Sequence, residues 1–284
     1  MAAPYQAVIL AAGRGDRLSE KTDLTPKSIL PIGPRSLADR TETSFLERQV
    51  RLLKAAGVDH VVVVIGYLRE LMAETIEHWD LGVELVVNPT PEIKTSGSLH
   101  SFQFAMRDGK GVLDGTKQTL LLDADIVYHR DVLRGFLKSP ERSSLLVCDR
   151  YETSQEEVLV YGSLDAPTFL AKGLNVELTG GARCLGEATG IVKFAPEDHA
   201  LVRKVTDWLL GNPDAAEGTL VHRGFGPARR ATEHEELTQH MMRIGKMRGV
   251  AFSGDELPFM EVDNPAEYKV LREELYPALL KMEG

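Results

Sequence analysis

Ala11-Ala12-Gly13-Arg14-Gly15 is a run of small residues carrying one arginine, and it follows directly on the apolar stretch from Ala7 to Leu10. A loop of this kind after a strand lets backbone N–H groups converge on an anion, because no Cβ stands in the way. Arg17 and Lys27 add two fixed cations close behind it, which suits a triphosphate better than a single phosphate. Asp123-Ala124-Asp125 ends a second apolar run, Gln118 to Leu122. Carboxylates at the C-terminal end of a parallel strand stand at the edge where open α/β sheets bind ligands. The two aspartates point the same way only while the strand stays regular, and capping of the next helix is the plainer use for them. Asp263, in Glu261-Val262-Asp263, precedes a last helix that it or Asn264 could cap. His222-Arg223 and Arg229-Arg230 make a basic, turn-rich stretch in an acidic chain, either a solvated loop or a cationic flap over an anionic substrate.

Two familiar phosphate loops do not fit. A dinucleotide fingerprint needs a third glycine where Leu18 stands, and no Gly-Lys-Ser/Thr string occurs in the chain. The string from Val8 to Pro31 instead resembles the signature of the nucleotidyltransferases that activate sugar 1-phosphates, phosphocholine and phosphonates. That pattern is L-A-A-G-x-G-x-R-L, a short polar spacer, then T-P-K-x-L-x-P. It is matched at Leu10, Ala11, Ala12, Gly13, Gly15, Arg17, Leu18, Thr25, Pro26, Lys27, Leu30 and Pro31. Thr95, Gly97, Ser98 and Leu99 resemble the family's base-contacting G-T-A-G-S-L, with Lys94 where glycine is usual. Asp125 stands at the family's D-A-D metal position, Thr189-Gly190-Ile191 on its returning strand, and Asp263 at its second metal aspartate.

The resemblance implies nucleotide binding by Leu10, Ala11, Ala12, Gly13, Arg14, Gly15, Thr95, Ser96, Gly97, Ser98 and Asp123. It implies catalytic cations in Lys27 and Arg17, and Mg2+ held by Asp125 and Asp263. Arg183, Glu187, His222 and Arg223 are the acceptor-binding candidates. The short spacer, Gly66-Tyr67-Leu68 and D-A-D look most like the phosphocholine and phosphonate cytidylyltransferase branch, which makes CTP the expected donor. A choline pocket is commonly aromatic. The acceptor half has Trp208 as its one tryptophan and clusters arginines instead, so a small anionic phosphonate is the expected acceptor. A sugar-1-phosphate nucleotidyltransferase using UTP, dTTP or GTP, and a non-catalytic nucleotide-binding protein, are the alternatives.

The elements that must position these groups follow a β-α-β rhythm. Val61 to Ile65 is a continuous apolar run, as expected of a strand buried on both faces, and Val83 to Val87 is another strand. Ser44 with Glu47 forms a helix-starting S-x-x-E pattern. Gly33 to Arg40 reads as loop, Leu68 to Trp79 as helix, and Glu233 to Arg248 as helix. After Arg150 the strands become shorter and more exposed. The expected fold is therefore α/β, a doubly wound, mostly parallel sheet of the Rossmann-like nucleotidyltransferase type. A small β-rich acceptor-binding subregion completes it. The chain reads as one domain over residues 1–284, with about 1–150 the nucleotide half and about 151–284 the acceptor half.

A net charge of −9 argues against a nucleic-acid partner, which calls for a basic face. Cys148 and Cys184 lack zinc-site spacing, and Cys148 lies in an apolar run as a core thiol would. Neither a signal peptide nor a membrane span is legible, so the expectation is a cytoplasmic enzyme without a membrane partner. A homodimer is left open.

Overall fold

A computed structural model describes residues 4–15, 17–18, 22–90, 96–151, 157–172, 183–212, 221–222 and 232–284. Its strands are β1 (Tyr5–Ala11), β2 (Pro31–Pro34), β3 (Glu42–Ser44), β4 (His60–Ile65), β5 (Val83–Val87), β6 (Gln118–Asp123), β7 (Ile126–Tyr128), β8 (Ser144–Cys148), β9 (Val158–Gly162), β10 (Pro167–Lys172), β11 (Arg183–Phe194), β12 (Val221–His222), β13 (Arg248–Phe252) and β14 (Phe259–Glu261). The helices are α1 (Phe45–Ala55), α2 (Arg69–Glu77), α3 (Ser98–Asp108), α4 (Arg130–Lys138), α5 (His199–Gly211), α6 (His234–Arg243), α7 (Pro265–Val270) and α8 (Tyr276–Glu283).

The centre is the parallel array β6-β1-β4-β5. Alternation along its strands sends neighbouring residues to opposite faces. Val62 and Val64 join Leu99, Phe102 and Phe194 in one core, while Val61, Val63 and Ile65 join Leu46, Val50 and Met72 in another. This is why a strand of near-continuous valine is stable here: each face is covered by helices. Ser44 caps α1, its hydroxyl accepting from the Glu47 N–H at 3.2 Å. The Glu47 carboxylate does not close the box. It turns instead to Arg35 and Arg51 at 2.7 and 2.8 Å.

The second half extends the same sheet. β11 pairs antiparallel with β6 near its end and with β9 near its start, and β10 and β12 follow outward. β8 and β13 branch from β11. The β-rich subregion is thus continuous with the main sheet. The stretch expected as loop after Pro31 begins as a hairpin, β2 against β3, tied by Tyr276 Oη to the Pro34 carbonyl at 2.9 Å. The helix expected to reach Arg248 stops at Arg243, because Arg248–Phe252 pairs in parallel with buried β8. No helix among the described residues is long and apolar enough to cross a membrane.

Candidate active site

β1, β4 and β6 all end at one edge of the sheet, with Leu10 opposite Asp123 and Ala11 opposite Ile65. The small-residue loop leaves β1 there. Gly15 has φ +75°, and a Cβ on it would lie 2.7 Å from the Lys27 Cβ. Glycine at this position is therefore what lets Lys27 stand under the loop. Leu18 is buried with Phe45, Val262 and Tyr268, and it anchors the short turn that carries Arg17. Arg14 extends to Asp23 at 2.7 Å and lies over the Tyr67 ring at 5.4 Å.

Three carboxylates meet below the loop. β14 pairs antiparallel with β7, with Glu261 opposite Ile126, and the Val262 N–H donates to the Asp125 carbonyl. That ladder sets Glu261 and Asp263, two residues apart, beside Asp125. Carboxylate oxygens of Asp125, Glu261 and Asp263 lie within 4.8 Å of one another. Lys27 Nζ is 2.6 Å from Asp125 Oδ2 and 3.4 Å from Asp263 Oδ1, and Arg17 is 2.7 Å from Asp263 Oδ1. Burial opposes charge on Lys27, but Asp125, Asp263 and Glu261 together hold its pKa above the usual lysine value. Burial would raise Asp125, yet the Lys27 ammonium keeps it below the ordinary carboxylate range. Glu261 is pushed well up, first by burial and then by Asp263 and Asp125. A carboxyl group that burial and two neighbouring carboxylates push upward marks a site short of positive charge. Three hard oxygen donors fit a small divalent cation such as Mg2+.

Asp263 does not cap the last helix. Asn264 does, accepting from the Ala266 and Glu267 N–H groups at 3.0 Å each, while Glu267 closes the box from the other side. Asp263 is thereby left to the cation cluster.

Asp123 turns away from Asp125, because the strand ends at Asp123. Its two oxygens lie 2.9 and 3.1 Å from His234 Nε2, and its backbone carbonyl accepts from Gln49 Nε2 at 3.0 Å. Burial alone would push His234 down; Asp123, Glu235 and the hydrogen bond to Asp123 override it and raise its pKa to about 10. The pair borders a cavity of about 30 Å³ that Glu235, Glu261, Leu145 and Leu170 also line.

These geometries accompany a family match. A family model described as the MobA-like NTP transferase domain matches residues 7–189. The chain belongs to that family. A CMP-5'-(3-aminopropyl)phosphonate synthase from Streptomyces rubellomurinus is 34% identical over 146 residues, 51% of this chain and 21% of that protein. A choline-phosphate cytidylyltransferase from Haemophilus influenzae is 31% identical over 157 residues, 55% of this chain and 58% of that protein. The matched stretches thus cover less than two thirds of either relative. The solved CTP:phosphocholine cytidylyltransferase of Streptococcus pneumoniae superposes with a TM-score of 0.62 at 20% identity, over 96% of this chain and 99% of that one. An inositol-1-phosphate CTP transferase from T. maritima gives 0.66 at 17% identity, over 99% and 97%. These two likenesses establish the fold: a mostly parallel sheet with flanking helices, as in the NTP transferases.

Within this NTP transferase fold the expected site residues fall into two groups. Leu10, Ala11, Ala12, Gly13, Arg14, Gly15, Arg17, Lys27, Asp125 and Asp263 gather at the ends of β1, β6 and β14. Ser96, Gly97 and Ser98 lead into α3 at the same edge. The Ser96 hydroxyl is buried and accepts from Asn88 Nδ2 at 2.9 Å. Thr95 and Arg223 lie outside the described residues. Arg183 opens β11 as an exposed residue opposite Gly162, and Glu187 stands opposite Cys148 and Leu159. His222 closes β12 opposite Lys172. Sequence reasoning missed Glu261 and His234. Glu261 carried only a weak signal, its place two residues before Asp263, because β14 ends at Glu261 and strand alternation does not run on to Asp263. His234 carried none, because its partner is Asp123, 111 residues earlier.

Proposed function

We propose that this NTP transferase family member is a metal-dependent cytidylyltransferase. It transfers CMP from CTP to a small phosphonate or phosphate monoester and releases pyrophosphate. The observation that carries the reading is the cluster of Lys27, Arg17, Asp125, Glu261 and Asp263 under a small-residue loop at the sheet edge. CTP as donor is supported by the named activities of the relatives.

The reaction joins two anions, so its main obstacle is their repulsion. Backbone N–H groups of the loop from Ala12 to Gly15 receive the triphosphate, with Arg14 and Arg17 at its flank. Asp125, Glu261 and Asp263 would hold Mg2+, which supplies charge neutralisation and a template for the reacting oxygens. An acceptor oxygen bonds to the α-phosphorus as the bond to the β-phosphate bridge breaks, and the electron pair leaves with pyrophosphate. Lys27 stabilises charge that builds on the phosphoryl oxygens. The acceptor oxygen is already ionised at neutral pH, so no general base is required. Arg183, exposed at the start of β11, is the described side chain that supports an anionic tail on the acceptor.

Pyrophosphate release measured with CTP, UTP, dTTP and GTP tests the reading. The acceptor panel is phosphocholine, aminoalkyl- and carboxyalkylphosphonates, and sugar 1-phosphates. Release with CTP and a phosphonate or phosphocholine is expected. A preference for UTP, dTTP or GTP with a sugar 1-phosphate would replace the reading, and no release from any pair would end it.

A further inference from the structure

Thr232, Glu233 and His234 form a short strut between two parts of the site that are far apart in sequence. Three hydrogen bonds tie it to the start of α3: the Leu99 N–H donates to the Thr232 carbonyl at 3.2 Å, the Ser98 N–H to Glu233 Oε2 at 2.8 Å, and the His234 N–H to Ser98 Oγ at 2.7 Å. A fourth contact runs to β6, where the His234 imidazole grips both oxygens of Asp123. The His234 side chain is 3% exposed and that of Asp123 25%, so the contact is largely shielded from water on the histidine side. The strand β11 makes room for it. Gly190 has φ +69°, and a Cβ there would stand 2.4 Å from Asp123 Oδ2. Any other residue would push the carboxylate off its seat.

The consequence reaches Asp125 through the two-residue turn after Asp123. With Asp123 held by His234 on its side chain and by Gln49 on its carbonyl, the turn has one direction in which to present Asp125 to Glu261 and Asp263. Outer partners of this sort set the orientation of metal-binding groups, and losing one costs about 10- to 100-fold in affinity or activity.

We propose that His234 is a positioning residue for the transfer reaction. Through Asp123 it aims Asp125 into the cation site, and through Ser98 it fixes the helix of the base loop to that site. The proposal rests on the cytidylyltransferase reading for its purpose, but its test does not depend on turnover. His234→Gln and Asp123→Asn are made singly and together in the full chain. Mn2+ binding is read from the electron paramagnetic resonance of the free ion, with and without CTP, alongside kcat and both KM values. We expect His234→Gln to weaken Mn2+ binding by about tenfold or more. The double variant should be no weaker than the worse single one, because the two residues act as one unit. The acceptor KM should move less than kcat. A lowered melting temperature with an unchanged Mn2+ constant would overturn the proposal, as would additive effects or a wild-type chain that binds no Mn2+. If His234→Gln does not fold, Asp123→Asn decides alone: a weakened Mn2+ constant supports the proposal and an unchanged one overturns it. Absence of pyrophosphate release with every substrate would sink the functional reading and leave the Mn2+ result to be judged separately.

Discussion

Lys27 Nζ lies 2.6 Å from Asp125 Oδ2, so the ammonium of the signature loop and a carboxylate 98 residues later share one small, largely buried space. In the proposed reaction Lys27 would divide its charge between the aspartates and the phosphates. Lys27→Met should lower kcat by about a hundredfold or more, the loss typical when one preorganised donor to a developing charge is removed. CTP binding should weaken less. Mn2+ should bind the variant more tightly, because a competing cation is gone. Titration of Mn2+ with single-turnover kinetics checks both, and an unchanged chemical step would remove Lys27 from the mechanism.

Glu261 should behave oppositely in the presence and absence of a divalent ion. Its pKa is raised in the fold, so at neutral pH its ionised form works against stability, an effect that grows as pH rises above the unfolded value near 4.5. In EDTA at pH 7.5, Glu261→Gln should melt at the same or a higher temperature than the wild type. Its Mg2+-induced rise in melting temperature should shrink, as should those of Asp125→Asn and Asp263→Asn. Loss of stability in EDTA would contradict this placement of Glu261.

His234 has a pKa raised to about 10. The sign follows from linkage: the imidazolium's stabilisation is complete below the unfolded value near 6.5 and is lost as pH climbs to about 10. The difference in melting temperature between wild type and His234→Gln should be largest near pH 6 and should narrow steadily toward pH 10. A difference that stays constant with pH would mean that the ring's charge does nothing for the fold.

Lys193 is buried and shares the end of α4, its Nζ lying 3.4 and 3.3 Å from the Phe136 and Ser139 carbonyls. Burial lowers its pKa to about 8. The folded state therefore disfavours the charged amine, and stability from this residue rises with pH between about 8 and the unfolded value near 10.4. Lys193→Met removes the charge at the cost of two carbonyl contacts. Its melting temperature relative to wild type should be highest at pH 7 and should fall by pH 10.

Arg183 tests the acceptor. Losing one charge-assisted contact costs about 1.5–3 kcal/mol, roughly ten- to a hundredfold in affinity. Arg183→Ala should raise KM for a carboxylated phosphonate in that range while leaving KM for CTP little changed. Efficient use of phosphocholine, with Arg183→Ala behaving like wild type, would remove the anionic tail from the proposal.

Much of the framework was legible from local sequence. The run Val61 to Ile65, the Ser44 cap and the strand end at Asp123 each depend on a few neighbouring residues, and each stands where the sequence put it. The small-residue loop with Lys27 was legible for the same reason. Gly15 is needed because Lys27 packs against it, twelve residues away, and both belong to one signature. What the sequence left open was the use of each carboxylate. Asp263 and Asn264 were equal candidates for the helix cap until the β7–β14 ladder set Asp263 against Arg17 and Lys27 and left the cap to Asn264. The resemblance gave Asp123 to the nucleotide and Asp125 to the metal; the end of β6 sends one to His234 and the other to Lys27. Backbone propensity and capping act over a turn or a strand, so sequence determines them. Charge pairing depends on which distant strands come into register and which groups are then deprived of water, and only the tertiary structure decides that.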